Sequence, residues 1–152
     1  MKPRIYTDTS ALGGCEDEEF RESSRRLVEA FVAGELILVL SDLALRELEA
    51  APDAVSKAVA RVPDAHIELI AISPEAEELA AAYIHDGAIA ESMRADALHI
   101  ALATVARVDV LVSWNFKHIV NLRRIHAYNA VNLKRGYPLL EIRTPREVPI
   151  DA

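Results

Sequence analysis

The sequence holds few of the residues that carry soft-metal or disulfide chemistry. Cys15 is its one cysteine in 152 residues, which excludes an intramolecular disulfide and a cysteine-based zinc site. The histidines are His66, His85, His99, His118 and His126, and none falls in the H-E-x-x-H pattern of zinc hydrolases. Long hydrophobic runs are missing too. The two longest, 36–40 and 97–106, are too short to span a bilayer, and the first residues lack a signal peptide's apolar stretch. A cytoplasmic protein with no membrane association is expected. Aromatic residues are only 5% of the chain while hydrophobic residues reach 51%, a surplus of aliphatic side chains that suits helices packed on a sheet.

Positive charge is scarce overall, and a net charge of −7 at first argues against nucleic acid. Its distribution argues otherwise. Glu16, Asp17, Glu18, Glu19 and Glu22 crowd one segment with a single base, Arg21. Across 113–146 the balance inverts: Lys117, Arg123, Arg124, Lys134, Arg135, Arg143 and Arg146 face one acid, Glu141. An acidic early segment and a basic late one can meet different partners, or both can be solvated surface.

Hydrophobic patterning gives alternating strands and helices. Residues 5–7 read as a first strand ending at Asp8. A polar acidic stretch follows, then a helix over 19–33 closed by Gly34. The unbroken apolar run 36–40 has the character of a strand buried on both faces, as in parallel sheets. Ser41 is placed to cap a helix over 42–51, and Pro52 and Pro63 bracket another over 54–62. A strand over 67–72 precedes a helix opened by Ser73–Pro74–Glu75 and running to 84. Residues 91–106 form the clearest helix, 108–113 a fourth strand, 118–134 a helix closed by Gly136, and 139–143 a last short strand. No linker, repeat or low-complexity stretch interrupts this order. A single domain over 1–152 is expected, an α/β/α three-layer sandwich around a mainly parallel sheet.

In such sheets, sites form at the carboxyl ends of the strands. Asp8 sits where the first strand ends, either as a site residue or as a simple cap. Glu47 lies on an apolar stripe with Leu43, Ala44 and Ala51, where a carboxylate costs desolvation unless it is paired or reaches solvent. Asp96 and His99 are polar exceptions in the first half of a helix that is otherwise apolar nearly all round, as a structural pair or as a site. Asn115 follows the fourth strand. Topology brings all four to one rim. Clustered carboxylates repel unless a cation neutralises them, and oxygen-only ligands suit Mg²⁺ or Mn²⁺. Such ions promote hydrolysis of phosphodiesters.

Taken together, these segments resemble the PIN-domain nucleases, and among them the VapC-type toxins of toxin–antitoxin pairs. The resemblance runs from IYTDTSALGG through SDLALRELEA and ADALHIALATVARVDVLVSWNFKHIVN to EIRTPREV. It implies a metal-dependent endoribonuclease, a homodimer and a cognate antitoxin. It assigns metal-ligand and catalytic roles to Asp8, Glu47, Asp96 and the position of Asn115. Ser113 falls where the family has Thr or Ser. Asn115 departs from the family's usual Asp: it offers a neutral oxygen where a full charge is expected, which favours one metal over two. Lys117 and His118 could hold a phosphate, and Thr9 and Ser10 could place hydroxyls near Asp8 or a metal water. Trp114 could stack on a base or belong to the packing.

Four rival readings stand against this one, and the first two fall on their motifs. A receiver domain would need an acid after the third strand, where the sequence has Ala71–Ile72–Ser73–Pro74. An aspartyl phosphatase would need D-x-D where the sequence has Asp8–Thr9–Ser10. A non-catalytic or weakly catalytic PIN-fold module that binds RNA or a partner draws support from Asn115. A stand-alone RNA-processing nuclease is the other reading of the same site.

Overall fold

The computed structural model describes residues 1–148, so the last four residues of the expected domain lie outside the described residues. Its strands are β1 (Arg4–Thr7), β2 (Ile37–Ser41), β3 (Ile67–Ile70), β4 (Val110–Val112) and β5 (Ile142–Arg143). Its α-helices are α1 (Thr9–Gly13), α2 (Arg21–Ala33), α3 (Asp42–Glu49), α4 (Asp53–Ala60), α5 (Pro74–His85), α6 (Arg94–Val105) and α7 (Leu122–Lys134). The strands form one parallel sheet in the order β3-β2-β1-β4-β5.

The period-two alternation of each strand divides its side chains between two cores. Ile5, Leu38, Leu40 and Val112 face one core, closed by α1 to α4. Tyr6, Val39, Leu111 and Ile142 face the other, closed by α5 to α7. This is the three-layer sandwich expected from the sequence. Parallel neighbours are joined by crossover helices, and reversing the direction of winding moves those helices to the other face of the sheet. The chain steps from β1 to β3 in one direction, then crosses back over β1 to β4 and continues the other way. The direction reverses between β1 and β4, and a crevice opens there at the carboxyl ends of the strands.

Local signals account for most boundaries. Ser41, Ser73 and Asn121 cap α3, α5 and α7 by accepting the backbone N–H groups of Ala44, Ala76 and Arg124. Gly34 takes φ of 78° to close α2. Three expectations are corrected. The stretch after Asp8 contains a short helix, α1, because Asp8 itself caps it. The helix expected from 91 begins with one 3-10 turn, Glu91–Met93, before α6. The helix expected from 118 starts four residues later, because Asn121 is its cap and residues 116–119 form a turn. Among the described residues no helix is long and apolar enough to cross a membrane.

Candidate active site

Asp8 stands at the reversal point. Its backbone N–H reaches the Val112 carbonyl across β1 and β4. Its Oδ1 accepts the Ser10 hydroxyl at 2.8 Å and the Ala11 N–H at 3.0 Å, and its Oδ2 accepts the Ser113 hydroxyl at 2.6 Å. Asp8 is therefore both a cap and a buried carboxylate. Burial pushes its carboxyl above the usual range, against the opposing pull of Ser113, His99, Ser10 and Ala11.

Glu47 reaches the same crevice from the second turn of α3. Its Oε1 accepts the Thr9 hydroxyl at 2.9 Å and lies 2.8 Å from His99 Nε2. Burial raises its carboxyl, but the hydrogen bond and charge of His99 together with Thr9 outweigh it, and the group sits below its ordinary value. The edge-residue alternative is half right: Glu47 keeps solvent access, yet one of its oxygens is held. His99 does not hydrogen-bond Asp96, as a simple reading of their spacing suggested. It is 2% exposed and contacts Glu47 and the Tyr6 hydroxyl, the latter at 2.6 Å from Nδ1.

Asp96 lies in the first turn of α6, where the helix N-terminus favours negative charge. Partial burial nevertheless raises its carboxyl, opposed by the charges of His99 and His118 and by the Asn115 side chain, while Glu47 pushes the same way as burial. The Asn115 side chain thus lies beside Asp96. Its Oδ1 accepts the His118 N–H at 3.0 Å, and its own N–H donates to Ser113 Oγ at 2.9 Å.

The expected substrate-binding residues divide. Ser10 orients Asp8 and also accepts the Trp114 N–H at 2.9 Å, whereas Thr9 serves Glu47 rather than Asp8. Lys117 is exposed in the turn after β4. His118 is partly buried, and its Nδ1 has no hydrogen-bond partner. Trp114 packs: its ring stacks on Phe20 at 4.1 Å and its Nε1 donates to Ser24 Oγ at 2.8 Å. Base stacking by Trp114 is therefore replaced by core packing, and the exposed aromatic nearby is Phe116.

Sequence reasoning passed over Tyr6 and read Ser41 only as a helix cap. A signal for Tyr6 existed: a tyrosine inside a two-sided core strand must find a partner for its hydroxyl. A cavity of about 320 Å³ lined by Ile5, Leu36, Val110 and Val148 among others lies at the amino edge of the sheet, away from these carboxylates, and is mostly apolar.

Among the described residues, no group of three His, Cys, Asp or Glu side chains is drawn together tightly enough to hold an ion unaided. The donors still fit a hard cation. They are carboxylate oxygens, and burial, full at Asp8 and partial at Asp96, raises both carboxyls. Mg²⁺ is ordinarily held by one or two carboxylates and retains several waters. Asp8 and Asp96 match that demand, with Glu47 Oε2 left over to reach a water.

The fold is PIN-like, and solved structures share it. The crystal structure of Mycobacterium tuberculosis VapC20, described as a sarcin-ricin loop cleaving toxin, aligns at TM-score 0.55 and 16% identity over 90% of this chain and 98% of that one. Rickettsia felis VapBC2, bound to a DNA fragment from its promoter, aligns at TM-score 0.56 and 13% identity over 93% of this chain and 98% of that one. No family model and no curated protein sequence matches the chain.

Proposed function

We propose that this chain is a divalent-metal-dependent endoribonuclease acting as the toxin of a type II toxin–antitoxin pair. The observation that carries the reading is that Asp8, Glu47 and Asp96, from separate parts of the chain, all interact with the same buried histidine, His99, in a PIN-like fold. Asp8 and Asp96 would hold Mg²⁺ or Mn²⁺, with Glu47 acting through a water. When bound, such an ion supplies Lewis-acid activation of water and neutralises phosphate charge. Ser10, Ser113 and the Ala11 N–H fix the Asp8 carboxylate. Lys117 and His118 offer cationic or hydrogen-bonding contacts to the RNA backbone. The likeness to VapBC2 supports an antitoxin as partner, and RNA as substrate and a homodimer in the cytoplasm belong to the same reading as what the family resemblance implies.

Cleavage of RNA with Mg²⁺, Mn²⁺ or EDTA tests this. Wild type should cut with either ion and stop in EDTA, and Asp8→Ala and Asp96→Ala should lose activity. Metal-independent cutting, or full activity in both variants, sinks the proposal. A neighbouring gene for a small DNA-binding protein separates the toxin from a stand-alone processing enzyme.

One observation favours a second reading. Asn115 Oδ1 is already used by the His118 N–H, and its side chain faces Asp96, so it behaves as a structural amide. A weakly catalytic or non-catalytic RNA- or partner-binding module would bind RNA without cutting it under any metal.

A further inference from the structure

We infer that His99 is the positioning residue of Glu47, itself held in place by a hydrogen-bond chain through Tyr6 to Ser41. The inference rests on the proposed role of Glu47 at the metal site.

The contacts form one unbroken chain. Ser41 Oγ accepts the Ala44 N–H at 3.1 Å and lies 2.7 Å from the Tyr6 hydroxyl. Tyr6 is fully buried, so its hydroxyl must find its partners inside the protein. That hydroxyl lies 2.6 Å from His99 Nδ1. Glu47, which when ionised can only accept, lies 2.8 Å from His99 Nε2, so Nε2 carries a ring proton whichever way the Tyr6 bond runs.

The consequence falls on Glu47. A glutamate on a short helix has three rotatable bonds and would sample solvent. Here Oε1 takes two donors, from Thr9 on α1 and His99 on α6. Oε2 alone remains for a cation or its water. Partners of this kind orient a ligand and fix its charge state, and their loss typically weakens metal binding by roughly 10–100-fold. The chain also joins β1, the N-cap of α3 and α6, so the carboxylate is referenced to the sheet rather than to its own helix.

The test is Mn²⁺ affinity of the full chain, read by electron paramagnetic resonance, with melting temperatures recorded in parallel. His99→Leu should weaken binding by roughly 10–100-fold. His99→Gln, whose amide can donate from a similar place, should recover most of the loss. Tyr6→Phe should shift affinity in the same direction by less. In a Glu47→Gln background, His99→Leu should add no further loss. Should the leucine variant fail to fold, the glutamine and phenylalanine variants carry the comparison, with ¹⁵N resonances of the His99 ring in the metal-free chain as a second measure. Those resonances should report an Nε2-protonated ring that shifts in Glu47→Gln. Wild-type affinity in folded His99→Leu alongside a loss in Glu47→Gln overturns the inference alone, as does a ring with no proton on Nε2. Unchanged affinity in Glu47→Gln overturns the role of Glu47 and the inference with it.

Discussion

Asp8 does two jobs with one carboxylate. Oδ1 closes the first turn of α1 through Ala11 and Ser10, and Oδ2 takes the Ser113 hydroxyl. In the metal-free chain its carboxyl lies above 3.8 because of burial, so the folded state holds the proton to higher pH than the unfolded state. That contribution to stability is present below 3.8 and lost as pH rises through the raised folded value. Glu47 has the opposite sign. Its lowered carboxyl stabilises the fold above 4.5, and the effect is lost as pH falls through the lowered value. Asp8→Asn should therefore melt higher than wild type at neutral pH without metal, with the gap closing toward pH 3.8. Mn²⁺ should raise the wild-type melting temperature and leave the variant unchanged. A variant that melts lower at neutral pH contradicts the assignment.

Asn115 is the other informative residue. Restoring a carboxylate there places a second negative charge beside Asp96. Asn115→Asp should tighten Mn²⁺ binding, and titration calorimetry reads the change. An unaltered affinity would mean that the fourth position does not face the ion. Ser113→Ala removes the donor to Asp8 Oδ2 and should cost roughly 10–100-fold in metal affinity or activity, measured by the same titration and by RNA cleavage.

At the scale of elements, the site depends on how short segments are fixed. Gly14 sits where a Cβ would meet Ser24 Oγ at 2.2 Å and Trp114 Nε1 at 2.6 Å. Gly14→Ala should cost about 1–3 kcal/mol by overpacking, read by urea denaturation. A neutral substitution would show that the Trp114–Ser24 contact gives way freely. The elements most legible in the sequence are those with strong periodicity or punctuation: the apolar run of β2, the Ser–Pro–Glu opening of α5, the apolar length of α6. Those missed depend on side chains acting on the backbone. Asp8 creates α1 by capping it, and Asn121 rather than His118 begins α7. The partners of His99 stay open in the sequence because helical spacing gives neighbours on one helix and is silent about neighbours from β1 and α3.

The whole molecule explains why four residues spread from 8 to 115 share a rim. Parallel strands, right-handed crossovers and the reversal between β1 and β4 put every strand end that matters on one side. Asp8, Glu47, Asp96 and Asn115 stand out in the sequence because each falls at a strand exit or in the early turns of a helix at that edge. Ser10 was legible as a hydroxyl beside Asp8 because it is close in sequence, whereas Thr9 turning to Glu47 and Tyr6 to His99 acquire meaning only once the elements pack.

The most direct measurement of the central claim is the chemistry of the cut RNA ends. Purified chain with Mn²⁺ in ¹⁸O-water should release products carrying one solvent oxygen on a terminal phosphate, read by mass spectrometry, and Asp96→Asn should release none. Products ending in 2′,3′-cyclic phosphate, or equal product from the variant, would contradict metal-assisted attack by water.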